Sequence, residues 1–114
     1  AASFSCRNAF SSMPGASARA TLCWEGRKRI VALNLSVTDS ASDGHYAALR
    51  VHRRYLMYGW HTITDYVITT KGYKAPKTVT KSRWWDQEGW AMKDFWMQVC
   101  KQTSGYYRCD SKWR

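Results

Sequence analysis

The chain has 114 residues, the length of one domain, and none of its apolar runs is long enough to cross a membrane as a helix. Its 18 basic residues against 8 acidic ones give a formal charge of +10, which favours anionic partners and also keeps an extracellular protein soluble. Four cysteines without a Cys-x-x-Cys pair argue for structural disulfides over a metal site, hence for oxidising surroundings: outside the cell, a periplasm or an equivalent lumen.

The opening Ala1-Ala2-Ser3 fits a mature product whose signal peptide has been removed. Residues 1–19 are rich in Ala and Ser, with Pro14-Gly15 as a turn signal, and read as an arm tethered by Cys6 with a short strand near Ser3–Arg7. The remaining residues, 20–114, read as a single β-domain. Ala20–Trp24 is a strand and Glu25-Gly26 its turn. In Arg29–Thr38 the side chains of Val31, Leu33, Leu35 and Val37 alternate with Ala32, Asn34, Ser36 and Thr38, the pattern of a half-buried strand with the aliphatics inward.

A turn cluster from Asp39 to Gly44 leads into Tyr46–Tyr55, where Ala47, Leu49 and Val51 alternate with Tyr46, Ala48, Arg50 and His52. Leu56–His61 reads as a bend. In Thr62–Thr70, Ile63 is out of phase with Tyr66 and Ile68, which implies a bulge or burial on both faces. Lys71-Gly72 turns the chain into Lys77–Arg83, a basic strand suited to a sheet edge. Trp84–Gly89 reads as a polar-aromatic loop, and Ala91–Lys101 as a strand with Phe95, Met97 and Val99 inward and Trp96 and Gln98 outward.

The stretch Trp90–Trp113 reads as two long antiparallel strands closed at Ser104-Gly105. With that two-residue loop, Thr103 faces Tyr106, Gln102 faces Tyr107, Lys101 faces Arg108, and Cys100 faces Cys109 on a non-hydrogen-bonded rung, where a disulfide fits. Elimination leaves Cys6 with Cys23. About seven short strands imply an all-β antiparallel sandwich, jelly-roll or immunoglobulin-like, or a partly open barrel, stapled by two disulfides.

The sequence resembles the small secreted all-β proteins that actinobacteria encode in number. The resemblance rests on the Ala/Ser arm, the strand Val31–Val37, the turn Thr38–His45, the strand Ala48–Val51, and the hairpin from Val99-Cys100 to Cys109 followed by Ser111-Lys112-Trp113. It implies a secreted β-fold, and for some such proteins service as binding or adaptor subunits of extracellular assemblies; it brings no catalytic residues.

Several residue sets invite a chemical reading. Asp39 and Asp43-Gly44 open like a calcium loop, but Ala41 and Arg50 stand where ligands belong, so a tight turn is the better reading. His45, His52 and His61 with Asp39, Asp43, Asp65 and Glu88 supply the residue types of a small basic ribonuclease, which needs two such groups converging on one phosphate. No Gly-x-Ser-x-Gly elbow is present, and all four cysteines are committed to bridges. The most suggestive stretch runs from Trp84 through Trp85, Asp86, Gln87 and Glu88 to Trp90: indole faces to stack on sugar rings, short polar side chains to meet hydroxyls, or a protein-binding hot spot. Arg50, His52 and Arg54 form a cationic stripe, with Arg53, Tyr55 and Tyr58 beside it.

The resulting expectation is a secreted, non-enzymatic binding module without cofactor or metal and monomeric in isolation. Trp84, Trp85 and Trp90 form the platform, Asp86, Gln87 and Glu88 its polar contacts, and Arg50, His52 and Arg54 a cationic flank. The target is a glycan or anionic cell-wall polymer, or a secreted partner protein in an adaptor role within a toxin-like assembly. A ribonuclease is the enzymatic alternative, though the oxidising compartment argues against nucleic acid.

Overall fold

Alternating apolar and polar side chains, punctuated by glycine and proline, fold the chain into two antiparallel sheets packed face to face. The computed structural model describes residues 4–86, 90–103 and 105–114. Its strands are β1 (Ser5–Met13), β2 (Ala16–Glu25), β3 (Arg29–Asp39), β4 (Tyr46–Leu56), β5 (Trp60–Thr69), β6 (Lys77–Asp86), β7 (Met92–Thr103) and β8 (Tyr106–Cys109). One sheet has the order β1-β2-β3-β6, the other β5-β4-β7-β8. Leu22, Ala32, Leu35 and Val37 of the first meet Leu49, Val51, Met97 and Val99 of the second, all fully buried. No helix among the described residues is long and apolar enough to cross a membrane.

The all-β sandwich and both disulfides, Cys6–Cys23 and Cys100–Cys109, agree with the sequence reading. The β7–β8 register pairs Cys100 with Cys109, Lys101 with Arg108, Gln102 with Tyr107 and Thr103 with Tyr106. Ser104 lies outside the described residues. The predicted bulge in β5 is present: Leu49 pairs with Ile68 but Arg50 with Tyr66, so Val67 is the extra residue. β6 is an edge strand, as its lysines suggest.

Five expectations need correction. Residues 5–13 are no arm: they pair with β2 along their whole length, and Ala9 and Ser11 are buried. The expected bend over residues 56–61 is tighter, because β4 continues to Leu56 and β5 begins at Trp60. Trp84, Trp85 and Asp86 belong to β6 and pair with Ala32, Val31 and Ile30, so the aromatic segment starts as strand. The final hairpin is asymmetric, since β8 has only four residues.

Beyond it the chain turns back along β7. Asp110 N donates to Val99 O and Arg114 N to Met97 O, while Arg7 Nη2 donates to Phe95 O and Val99 N to Ser11 Oγ. The tail and two β1 side chains thereby occupy the β7 edge that β8 is too short to cover.

The fifth correction concerns β3. Arg19 pairs with Ser36 and Thr21 with Leu33, so Asn34 and Leu35 together oppose Ala20, and Asn34 takes a left-handed φ of 51°. The bulge reverses the alternation: Ile30 and Ala32 point inward before it, Leu35 and Val37 after it. Val31 and Leu33, read as core, face outward instead.

Candidate ligand-binding surface

The Trp-rich segment does not form one platform. Strand alternation turns Trp84 inward, where its ring lies 6.2 Å from Phe95 and 5.1 Å from the Arg53 guanidinium. Asp86 also turns inward, and its Oδ2 accepts from Arg53 Nε at 2.8 Å. Trp85, between them, faces outward and is 55% exposed. Trp90 is exposed near the start of β7, where Leu56 N donates to Ala91 O and Met92 N to Arg27 O. Gln87 and Glu88 lie outside the described residues.

What surrounds Trp85 comes from other strands. Cys6 pairs with Cys23, Cys23 with Val31, and Val31 with Trp85, so a single rung crosses the whole first sheet, roughly 14 Å from β1 to β6. A disulfide, an aliphatic side chain and an indole stand in line on the outer face. The next rung on this face runs Asn8, Thr21, Leu33, Arg83. On the other side Glu25 pairs with Arg29, whose guanidinium lies 4.8 Å from the Phe4 ring centre and 3.5 Å from the Glu25 carboxylate. Phe4, Cys6, Cys23, Arg29, Val31, Leu33, Arg83 and Trp85 enclose a shallow concavity of about 390 Å³. It is an apolar floor with a cation on each side.

The stripe of Arg50, His52 and Arg54 lies on the outer face of the second sheet, on the opposite side of the molecule, and cannot flank Trp85. The C-terminal tail covers much of it. His52 sits between Trp96 and Trp113, ring centres 5.0 and 5.1 Å away, with Nδ1 2.8 Å from Asp94 O. Because a carbonyl only accepts, Nδ1 carries the proton in that contact. Arg50 donates from Nε and Nη2 to Gln98 Oε1 and stacks 4.8 Å from Trp113. Gln98 Nε2 in turn donates to Asp110 O. Arg54 lies 3.9 Å from the Asp94 carboxylate. Arg53 leaves the stripe altogether: 4% exposed, it turns inward to Asp65 and Asp86.

The three histidines are dispersed. His45 precedes β4 with its N–H on Asp43 Oδ1, and His61 pairs with Tyr55 near the far end of that strand, roughly 30 Å away. Asp39 and Asp65, which a nuclease reading pairs with them, are held by Lys101 and Arg53. Sequence reasoning missed Phe4, Arg29, Val31, Leu33 and Arg83 as neighbours of Trp85. The alternation of β6 signalled Arg83, which shares a face with Trp85, but nothing local announced the β3 bulge.

Comparison of the chain with protein-family models, with curated proteins and with solved structures finds no match.

Proposed function

We propose that the chain is a secreted binding module whose first-sheet outer face holds an anionic glycan. The observation that carries this reading is the reversed alternation of β3. It puts Val31 and Leu33 on the solvent side, next to an exposed Trp85 and the Cys6–Cys23 bridge, with Arg29 and Arg83 on either side. Leaving aliphatic side chains half-buried on an outer face forgoes part of their burial, and apolar patches around an exposed indole mark surfaces that meet something else. An indole face offers a flat apolar surface to the C–H side of a sugar ring, and guanidinium forks fit carboxylate or sulfate oxygens with two parallel hydrogen bonds.

A partner protein is the second reading. Trp and Arg on a continuous apolar floor also form interface hot spots, which supports an adaptor role. Titration of acidic polysaccharides against the wild type and Trp85→Ala separates the two. Binding lost in the variant at an unchanged melting temperature supports the glycan reading. Binding that persists unchanged removes the platform, and absence of glycan binding together with stoichiometric capture of one protein from producing cultures transfers the face to a protein.

A further inference from the structure

The end of the sandwich farthest from Trp85 holds a second group of reactive side chains. Lys101 continues the inward series Phe95, Met97, Val99 of β7, and Asp39 continues the inward series Leu35, Val37 of β3. The two meet between the sheets with Lys101 Nζ 2.6 Å from Asp39 Oδ1 and side-chain exposures of 2% and 4%. Asp43, half-exposed on the loop after β3, places Oδ1 3.0 Å from the same nitrogen. Gly15 of the β1–β2 turn closes over the group: a Cβ there would stand 3.0 Å from Ala41 Cβ and 3.6 Å from Lys101 Nζ.

We propose that Lys101 and Asp39 condense into an intramolecular amide, formed by the folded chain itself, with Asp43 relaying protons. Three features of the geometry carry this. The amine and the carboxyl are already in hydrogen-bond contact, Nζ to Oδ1, so the condensation needs no bimolecular encounter. Both are withdrawn from water, where an ammonium and a carboxylate are costly to keep and a neutral hydrogen-bonding amide is not. A second carboxylate touches the nucleophile from the solvent side, where a general base belongs.

In the resting state the three groups form an ion cluster. Burial alone would push the Lys101 ammonium down, but the hydrogen bonds it donates to Asp39 and Asp43 outweigh it and hold the group above its ordinary value. Asp43 lies below the usual carboxylate range, chiefly through its hydrogen bond with Lys101. Both shifts oppose proton transfer between the two groups, so the slow step is the one in which Asp43 takes one ammonium proton. The freed amine attacks Cγ of Asp39, a C–N bond forms, and one C–O bond of the carboxyl breaks. Of the three ammonium protons, one stays on the amide nitrogen and two leave with the Asp39 oxygen as water. Charge is conserved, since a cation and an anion become a neutral amide and neutral water. The water leaves through the opening lined by Ser12, Pro14, Asp43 and Arg108. The product is a third covalent tie, and the one that joins the two sheets, because each disulfide lies within a sheet.

Intact-mass spectrometry of the folded protein, reduced only after prolonged incubation, tests this directly. The expected mass is lower than that of the reduced sequence by one water, with a branched peptide joining the Asp39 and Lys101 segments in a protease digest and absent from Lys101→Arg. In Asp43→Asn the cross-linking rate is expected to fall by about a hundredfold. A natively folded wild type whose mass equals the sequence mass overturns the proposal. So does loss of water without a branched peptide, which would mark cyclisation at Asp43-Gly44, and an Asp43→Asn variant that cross-links at the wild-type rate removes the relay.

Discussion

Asp110 follows the last strand directly, and its carboxylate is the point where the tail, β1 and β7 are tied together. Ser11 Oγ donates to its Oδ2 at 2.7 Å, and Arg114 contributes Nε to Oδ2 at 2.9 Å and Nη2 to Oδ1 at 3.1 Å. The hydrogen bond from Arg114, reinforced by Ser11, holds the carboxyl at about 2, below its ordinary 3.8, against the opposing effect of burial. A carboxyl depressed in the folded state binds its proton more readily when unfolded. Its contribution is therefore complete above pH 3.8 and disappears as pH falls towards 2. At neutral pH it amounts to roughly 2 kcal/mol. Asp110→Asn is expected to lower the urea midpoint accordingly at pH 7, and the gap from the wild type should close as both are titrated to pH 2. A gap independent of pH would mean that shape, not charge, is what Asp110 supplies.

Asp86 illustrates how a residue can be suggestive in sequence and structural in place. Beside two tryptophans it reads as a sugar contact; alternation along β6 turns it inward to Arg53, a guanidinium 4% exposed and shared with Asp65. Removing it leaves a buried cation with one partner fewer. Asp86→Ala is expected to cost about 2 kcal/mol in chemical denaturation while leaving ligand affinity at Trp85 unchanged. An affinity loss without a stability loss would return Asp86 to the binding surface.

At the scale of the strand, β3 decides where the apolar surface lies. Asn34 holds a φ of 51°, a conformation that asparagine tolerates and a β-branched residue does not. Asn34→Val is expected to destabilise the fold by about 1–2 kcal/mol and Asn34→Gly to be nearly neutral. Thermal melts of the two variants check this; equal behaviour would show that the bulge does not depend on the left-handed residue.

The same strand shows what was legible in the sequence. Local rules located it, because four alternating pairs from Val31 to Thr38 need no partner to be recognised. The register of the final hairpin was legible, since a two-residue turn fixes each of its four rungs, whereas the length of β8 was not. The phase break at Asn34 was not, because asparagine fits either face, and only the pairing with β2 shows that two residues oppose one. One unrecognised bulge moved Val31 and Leu33 from core to surface and hid the neighbours of Trp85. The neighbours of His52 were hidden for a related reason: Trp113 reaches it only because β8 stops at Cys109 and the tail returns along β7. How far a strand continues depends on the edge it meets, which no local pattern records.

For the molecule as a whole, the two disulfides are of the same type and differ in what they serve. Each links directly paired residues of neighbouring antiparallel strands, Cys6–Cys23 spanning 17 residues and Cys100–Cys109 spanning 9. Chain entropy alone assigns them similar stabilisation, about 3 kcal/mol each, so denaturation does not tell them apart. Position does. Cys100–Cys109 anchors the short β8, from which the tail departs towards the β7 edge. Cys6–Cys23 forms the floor of the outer-face rung that ends in Trp85 and pins β1 beneath Phe4. Paired Cys→Ala replacements at either bridge are therefore expected to lower the melting temperature by comparable amounts, whereas only the Cys6/Cys23 variant should weaken ligand binding below its own transition. Equal loss of binding from both would mean that the surface depends on global stability alone. Undiminished binding in the Cys6/Cys23 variant would show that the contact is made by Trp85 and the arginines, with the sulfur bridge a spectator beneath them.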